Sequence, residues 1–107
     1  MWLFNSPPSI SAADAAGKVL GANVAFIDVR TPEEFATGHA KGAVNYPLSD
    51  LNESVMSKLK SFAEVYVICQ SGARSSSAVS KLIVSNIQAF SVTGGTSAWR
   101  SLGLPLE

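Results

Sequence analysis

The chain has 107 residues, enough to bury one hydrophobic core and too few for two. Eight Lys and Arg balance eight Asp and Glu with no basic or acidic block, which argues against nucleic acid or an anionic membrane surface as a partner. A single cysteine excludes an internal disulfide framework and fits a reducing compartment, and no stretch is apolar enough for a signal peptide or a membrane span, so the expectation is one cytoplasmic, monomeric domain over residues 1–107 with residues 1–8 as a loosely ordered N-terminal segment.

Ser9-Ile10, after two prolines, predicts a short edge strand. Ser11 to Asp14 has the spacing of a capping box, with Ser11 as N-cap and Asp14 in place of the usual Glu. The helix it opens runs to about Leu20 and stops at Gly21. Residues 24–27 are an unbroken apolar run ended by Asp28, the pattern of a strand buried on both faces. Thr31-Pro32-Glu33-Glu34 opens a short second helix, with an N-cap, a proline at the first position and an acid at the third. It ends near Gly38. Val44-Asn45-Tyr46 predicts a brief strand cut off by Pro47. Leu51, Val55, Leu59 and Phe62 recur at helical spacing and predict a helix over about 52–60.

Residues 65–68 form the next buried strand. Ala78, Val79, Leu82 and Ile83 make one apolar stripe on a helix over about 75–85. Residues 89–92 predict a last strand leading into Gly94-Gly95, and Thr96 is expected to cap a final helix over 97–102. Strands alternating with helices, the strands continuously apolar, predict an α/β fold: a parallel sheet covered by helices on both faces. Ligands in such sheets sit beyond the carboxyl ends of the strands. Asp28, Cys69 and Gly94-Gly95 fall at such ends and are expected to share one rim.

Cys69 stands where the strand over 65–68 gives way to a helix, at the head of Gln70-Ser71-Gly72-Ala73-Arg74. A lone cysteine is ordinarily a small buried hydrophobe. This one follows its strand instead of sitting inside it. Gly72 lets backbone N–H groups turn inward as an anion-binding nest, and Arg74 closes the loop with a permanent positive charge. Together with the N-terminus of the following helix, these place the thiol in a positive field that favours the nucleophilic thiolate. The reading requires a thiol that solvent can reach.

Four stretches in this order give the chain a resemblance to the single-domain rhodanese family. They are Asp28-Val29-Arg30-Thr31-Pro32-Glu33-Glu34-Phe35, Gly38-His39-Ala40-Lys41-Gly42-Ala43-Val44-Asn45, Cys69 through Arg74, and Gly94-Gly95 with Trp99. The resemblance covers nearly the whole chain. It implies a five-stranded parallel sheet with helices on both faces, the active loop between the fourth strand and its helix, and thiosulfate sulfurtransferase activity through a persulfide. Carried over position by position, Cys69 is the nucleophile that bears the sulfane sulfur. The backbone N–H groups of Gln70, Ser71, Gly72, Ala73 and Arg74 are expected to stabilise thiolate and persulfide, and Arg74 to attract the sulfonate oxygens of a donor such as thiosulfate. Ser71 and Ser75 offer hydroxyls for further bonds in the loop, with Ser75 read first as a capping residue. Asp28 is expected to bond loop backbone and Arg30 to pair with Glu33 or Glu34. His39 is expected to fix a loop and Trp99 to anchor the core. Gly94-Gly95 are expected to let their loop approach the active loop closely.

The implied acceptor is cyanide, a thiol or a protein, and no metal or organic cofactor is expected. An alternative with the same residues is a persulfide carrier or relay without small-molecule turnover. A phosphatase or arsenate reductase of related fold shares the thiolate. Only four residues separate Cys69 from Arg74, however, which makes a tight cradle for a phosphoryl group, and a single cysteine leaves no internal resolving thiol.

Overall fold

Two five-residue strands, each apolar but for one acidic residue at an end, form the centre of the molecule. β2 (Val24–Asp28) and β4 (Glu64–Ile68) pair in parallel along their whole length, Val24 opposite Glu64 through Asp28 opposite Ile68. The computed structural model describes residues 7–107, and residues 1–6 of the expected N-terminal segment lie outside the described residues. β5 (Ala89–Val92) pairs with the other side of β4, and the two-residue strands β1 (Ser9–Ile10) and β3 (Val44–Asn45) close the edges. The sheet is five-stranded and all parallel, in the order β1-β5-β4-β2-β3. Pro8, at the end of the same N-terminal segment, is tied to the sheet through its carbonyl, which accepts the Ser91 N–H at 2.9 Å.

Strand alternation sorts the core into two layers. Ala25, Ile27, Val65, Val67 and Ala89 face one side and pack with Met56 and Leu59 of α3 (Glu53–Leu59) and with Ala78, Val79 and Leu82 of α4 (Ala73–Val84). Phe26, Tyr66, Ile68 and Val92 face the other, against Ala12 and Ala15 of α1 (Ala12–Lys18) and Trp99 of α5 (Gly95–Ser101). Helices thus cover both faces, as the patterning predicts. Trp99 is buried against Phe26 and anchors α5 as expected.

The caps follow the sequence signals with instructive exceptions. Thr31 and Glu34 form a complete capping box at the head of α2 (Pro32–Ala36). Ser11 accepts the Asp14 N–H at 3.1 Å, but the return bond is not made, because an Asp side chain is one methylene shorter than the Glu the box requires. α1 ends at Lys18 and not at Leu20. The larger corrections concern α4 and α5, each of which starts two residues before its expected first residue. Gly72 and Gly94, both in the left-handed region, stand as their N-caps, and Thr96 lies inside α5.

Candidate active site

Residue by residue, the loop is built from the end of β4. Cys69 follows Ile68, and its side chain falls on the α4 side of the sheet, grouped with Ala78, Val79 and Val67. Gly72, at φ +116°, turns the chain directly into α4, so that the loop proper is only Cys69 to Gly72. The turn brings the Gly72 N–H to 3.0 Å from Cys69 Sγ. Ser75, in the first turn of α4, is fully buried, with Oγ 3.4 Å from the same sulfur. Burial pushes the Cys69 thiol up, but the Ser75 hydroxyl and the backbone N–H groups of Ser75, Gly72 and Ser71 more than offset it, and the net direction is down from an ordinary thiol.

Two expectations are corrected here. Cys69 is only 1% exposed, so the open cradle is not what the fold presents. A cleft of about 280 Å³ borders the loop on its β5 side, walled by Ser9, Ser71, Gly72, Ser76, Ser91 and Thr93, among others, but not by Cys69. Ser75, read as a capping residue, instead places its hydroxyl oxygen 3.4 Å from the sulfur as an acceptor, while its own hydrogen goes to Gly72 O at 3.1 Å. Its place two residues beyond the observed helix start, Ala73, inside the first turn, is what brings it there.

The remaining loop residues are held from outside. Gln70 accepts from Arg30 Nη1 at 3.3 Å and donates to Ser97 Oγ at 2.9 Å. Ser71 and Ala73 are exposed at the crest. Arg74 is not free to face a ligand alone: its two terminal nitrogens donate to both carboxylate oxygens of Glu34 at 2.7 and 2.8 Å. That bidentate pair, with the Thr31 bonds of the capping box, holds the Glu34 carboxyl down at about 2. The expected pairing of Arg30 with Glu33 or Glu34 is therefore wrong. Arg30 is buried and forms its ion pair with Asp28, Nη2 to Oδ2 at 2.8 Å. The fork also donates to Gly38 O at 2.8 Å, and Asp28 Oδ1 accepts the Arg30 N–H at 2.9 Å, the loop-backbone bond expected of it. His39 stacks on Phe35 with Nδ1 3.0 Å from Phe35 O, a loop-fixing role with no contact to the sulfur.

α5 clamps the loop from the side. Its unpaired N-terminal donors find the loop carbonyls: Thr96 N and Oγ1 both donate to Cys69 O, at 2.8 and 2.9 Å, and Ser97 N donates to Gln70 O at 3.1 Å. Gly95 is what permits this approach. At φ +56°, a Cβ there would meet Cys69 O at 2.5 Å and Gln70 C at 2.7 Å. Thr96, Ser97 and Glu34 carry no signature that sequence reading could attach to the sulfur. Glu34 is marked only as a capping residue, and its second task depends on tertiary placement.

A family model described as Rhodanese-like domain matches residues 11–102. The chain is 39% identical to Thiosulfate sulfurtransferase 16, chloroplastic, of Arabidopsis thaliana, the match covering 94% of this chain and 93% of that protein. It is 31% identical to Rhodanese-like domain-containing protein 15, chloroplastic, of the same plant, over 94% of this chain but only 62% of the relative. Among solved structures, it superposes on a rhodanese-related protein from Thermoplasma volcanium with a TM-score of 0.83 at 31% identity, covering 94% of this chain and 97% of that one.

Proposed function

The chain belongs to the rhodanese-like domain family, whose named relatives include sulfurtransferases, and from that premise we propose that it moves a sulfane sulfur from thiosulfate or a similar donor to a thiophilic acceptor through a persulfide on Cys69. The single observation that carries this reading is the sulfur's surroundings: the Gly72 N–H donates to Sγ at 3.0 Å and the Ser75 hydroxyl lies 3.4 Å from it, and with the neighbouring Ser71 and Ser75 backbone they hold the thiol below its ordinary value in spite of its burial. Donors fixed before reaction stabilise a developing anion without reorganising.

In the first half-reaction the Cys69 thiolate attacks the outer sulfur of thiosulfate. A sulfur–sulfur bond forms to Cys69, the bond to the sulfonate sulfur breaks, and sulfite leaves with the electron pair. In the second, an acceptor thiolate or cyanide attacks the outer sulfur of the persulfide, and Cys69 departs as thiolate. The same donors serve both steps, since Cys69 is the nucleophile of one and the leaving group of the other. Because the residue is enclosed, transfer requires the loop at exposed Ser71 to yield to the donor. Among the described residues no side-chain hydrogen bond holds Ser71, whereas Gly72 next to it is bonded through both its N–H and its carbonyl.

Intact-mass measurement after thiosulfate treatment tests the reading. One added sulfur atom that a reductant removes is the expected result, and Cys69→Ser is expected to take up none while keeping its fold. Sulfur uptake by that variant, or none by the native chain from any sulfane donor, overturns the assignment.

A further inference from the structure

Ser91 occupies a position that sheet alternation assigns to the core. Ala89, two residues earlier on β5, packs with the α4 layer, and Ser91 shares its face. The residue is 2% exposed, and among the described residues its hydroxyl has one hydrogen-bond partner, Ser75 Oγ at 2.7 Å. Ser75 in turn lies 3.4 Å from Cys69 Sγ and 3.1 Å from Gly72 O. Three buried polar atoms, from the residue after β4, from α4 and from β5, therefore run in series.

Counting hydrogens sets the direction of the chain. Each hydroxyl has one hydrogen to give and two lone pairs to fill. Were Ser75 to donate to Ser91, the Ser91 hydrogen would have no protein acceptor among the described residues and could turn only to the cleft that Ser91 walls, and Ser75 would have none for the sulfur. With Ser91 as donor, both needs are met. A neutral Cys69 gives its S–H to Ser75, which gives its own hydrogen to Gly72 O. Once Cys69 is ionised, the Ser75 hydrogen turns to the sulfur. Gly72 O is not stranded by that turn, because it also accepts the Ser76 N–H at 3.0 Å.

We propose that Ser91 is a positioning residue of the sulfur site, donating to Ser75 so that the single hydrogen of Ser75 is free to serve the Cys69 thiolate. The proposal rests on the part of that reading which makes Cys69 an ionisable nucleophile, whatever it attacks, and adds a member that touches neither sulfur nor substrate. The charged groups around the thiol are Arg74 on α4 with its partner Glu34 on α2, and the Asp28–Arg30 pair at the end of β2. β5 brings Ser91 and no charge, so substitution there leaves that field in place.

The test is the pH dependence of Cys69 alkylation by iodoacetamide in the native chain and in Ser75→Ala, Ser91→Ala, the double variant, Ser91→Thr and Ser91→Val. Ser91→Ala is expected to move the midpoint to higher pH and to slow alkylation below the midpoint about fivefold, the effect of one ordinary hydrogen bond. Rates should converge where the thiol is ionised in every variant. The double variant is expected to match Ser75→Ala, and Thr to restore what the equally bulky Val does not. An unchanged midpoint in Ser91→Ala, a double-variant shift equal to the sum of the singles, or equal behaviour of Thr and Val overturns the proposal. The Thr and Val pair decides the matter even where Ala fails to fold. Sulfur uptake by the native chain, measured alongside, separates the two ideas: no uptake with the Ser91 dependence intact removes the sulfur-transfer reading and leaves this one standing.

Discussion

Glu34 serves two masters with one carboxylate. Oε1 closes the capping box on Thr31 and Oε1 and Oε2 together grip Arg74, so the loop's one permanent cation is already half spent before any donor arrives. Arg74→Ala is expected to raise the KM for thiosulfate, while Glu34→Gln, which leaves the guanidinium charge unshared, is expected to lower it. Steady-state kinetics on the two variants checks the opposite signs, and a rise in both would mean that Glu34 matters for aiming Arg74 rather than for sharing its charge. The folded carboxyl at about 2 lies below its unfolded value of 4.5, so the pair's contribution to stability is complete above the unfolded value and is lost progressively as pH falls from there through about 2. No change of KM from Glu34 is expected between pH 4 and pH 8. Asp28 sets a sharper case at the same scale. Its pair with Arg30 is buried on both sides, and Asp28→Ala strands a guanidinium there at a cost of about 3–5 kcal/mol, readable as a fall in the urea midpoint.

At the scale of elements, what the sequence made legible and what it hid divide along a physical line. Strands and helices whose signal is local came through: the runs at 24–27 and 65–68, the Thr31 capping box, the stripe Ala78, Val79, Leu82 and Ile83, and with them the parallel sheet and the place of Cys69 at a strand end. The starts of α4 and α5 did not. Each is capped by a glycine in the left-handed region, a conformation that supplies no side-chain cap to recognise; the Gly72 N–H at the head of α4 turns to the Cys69 sulfur, and α5 gains its N-terminal partners from the distant carbonyls of Cys69 and Gln70. The site's outer members, Glu34, Ser91 and Thr96, were hidden for the same reason, since their partners are distant in sequence. α5 shows what that hidden placement is for: Gly95→Ala drives a methyl into the carbonyls of Cys69 and Gln70 at a positive φ. Overpacking and left-handed strain together set the expected loss at about 2–4 kcal/mol. Because the clash is with the loop backbone itself, alkylation of Cys69 should change along with thermal stability. A variant that loses stability with unaltered thiol reactivity would show that the clamp does not reach the sulfur.

Over the whole molecule, the two core layers differ in how they meet alkaline solution. The α3–α4 layer holds Cys69, whose folded form favours the anion. The α1–α5 layer holds Tyr66, whose folded form refuses it. Tyr66 is buried beside Phe90, and its hydroxyl donates to Glu64 at 2.8 Å. Burial first, then that bond and the Glu64 charge, raise it from 10.0 to about 12. A raised phenol favours its neutral form, so the stability it contributes is complete below about pH 10 and is lost as pH rises through about 12, some 2–3 kcal/mol in all. The stability advantage of the native chain over Tyr66→Phe, measured by urea unfolding at successive pH values, should therefore shrink across that window. Phenolate absorbance from Tyr66 should appear only near pH 12 or together with unfolding. A difference between the two proteins that stays constant from pH 9 to pH 12 would place Tyr66 in contact with solvent, and would mean that the layer beneath α1 and α5 is less closed than the packing of Phe26, Tyr66 and Trp99 requires.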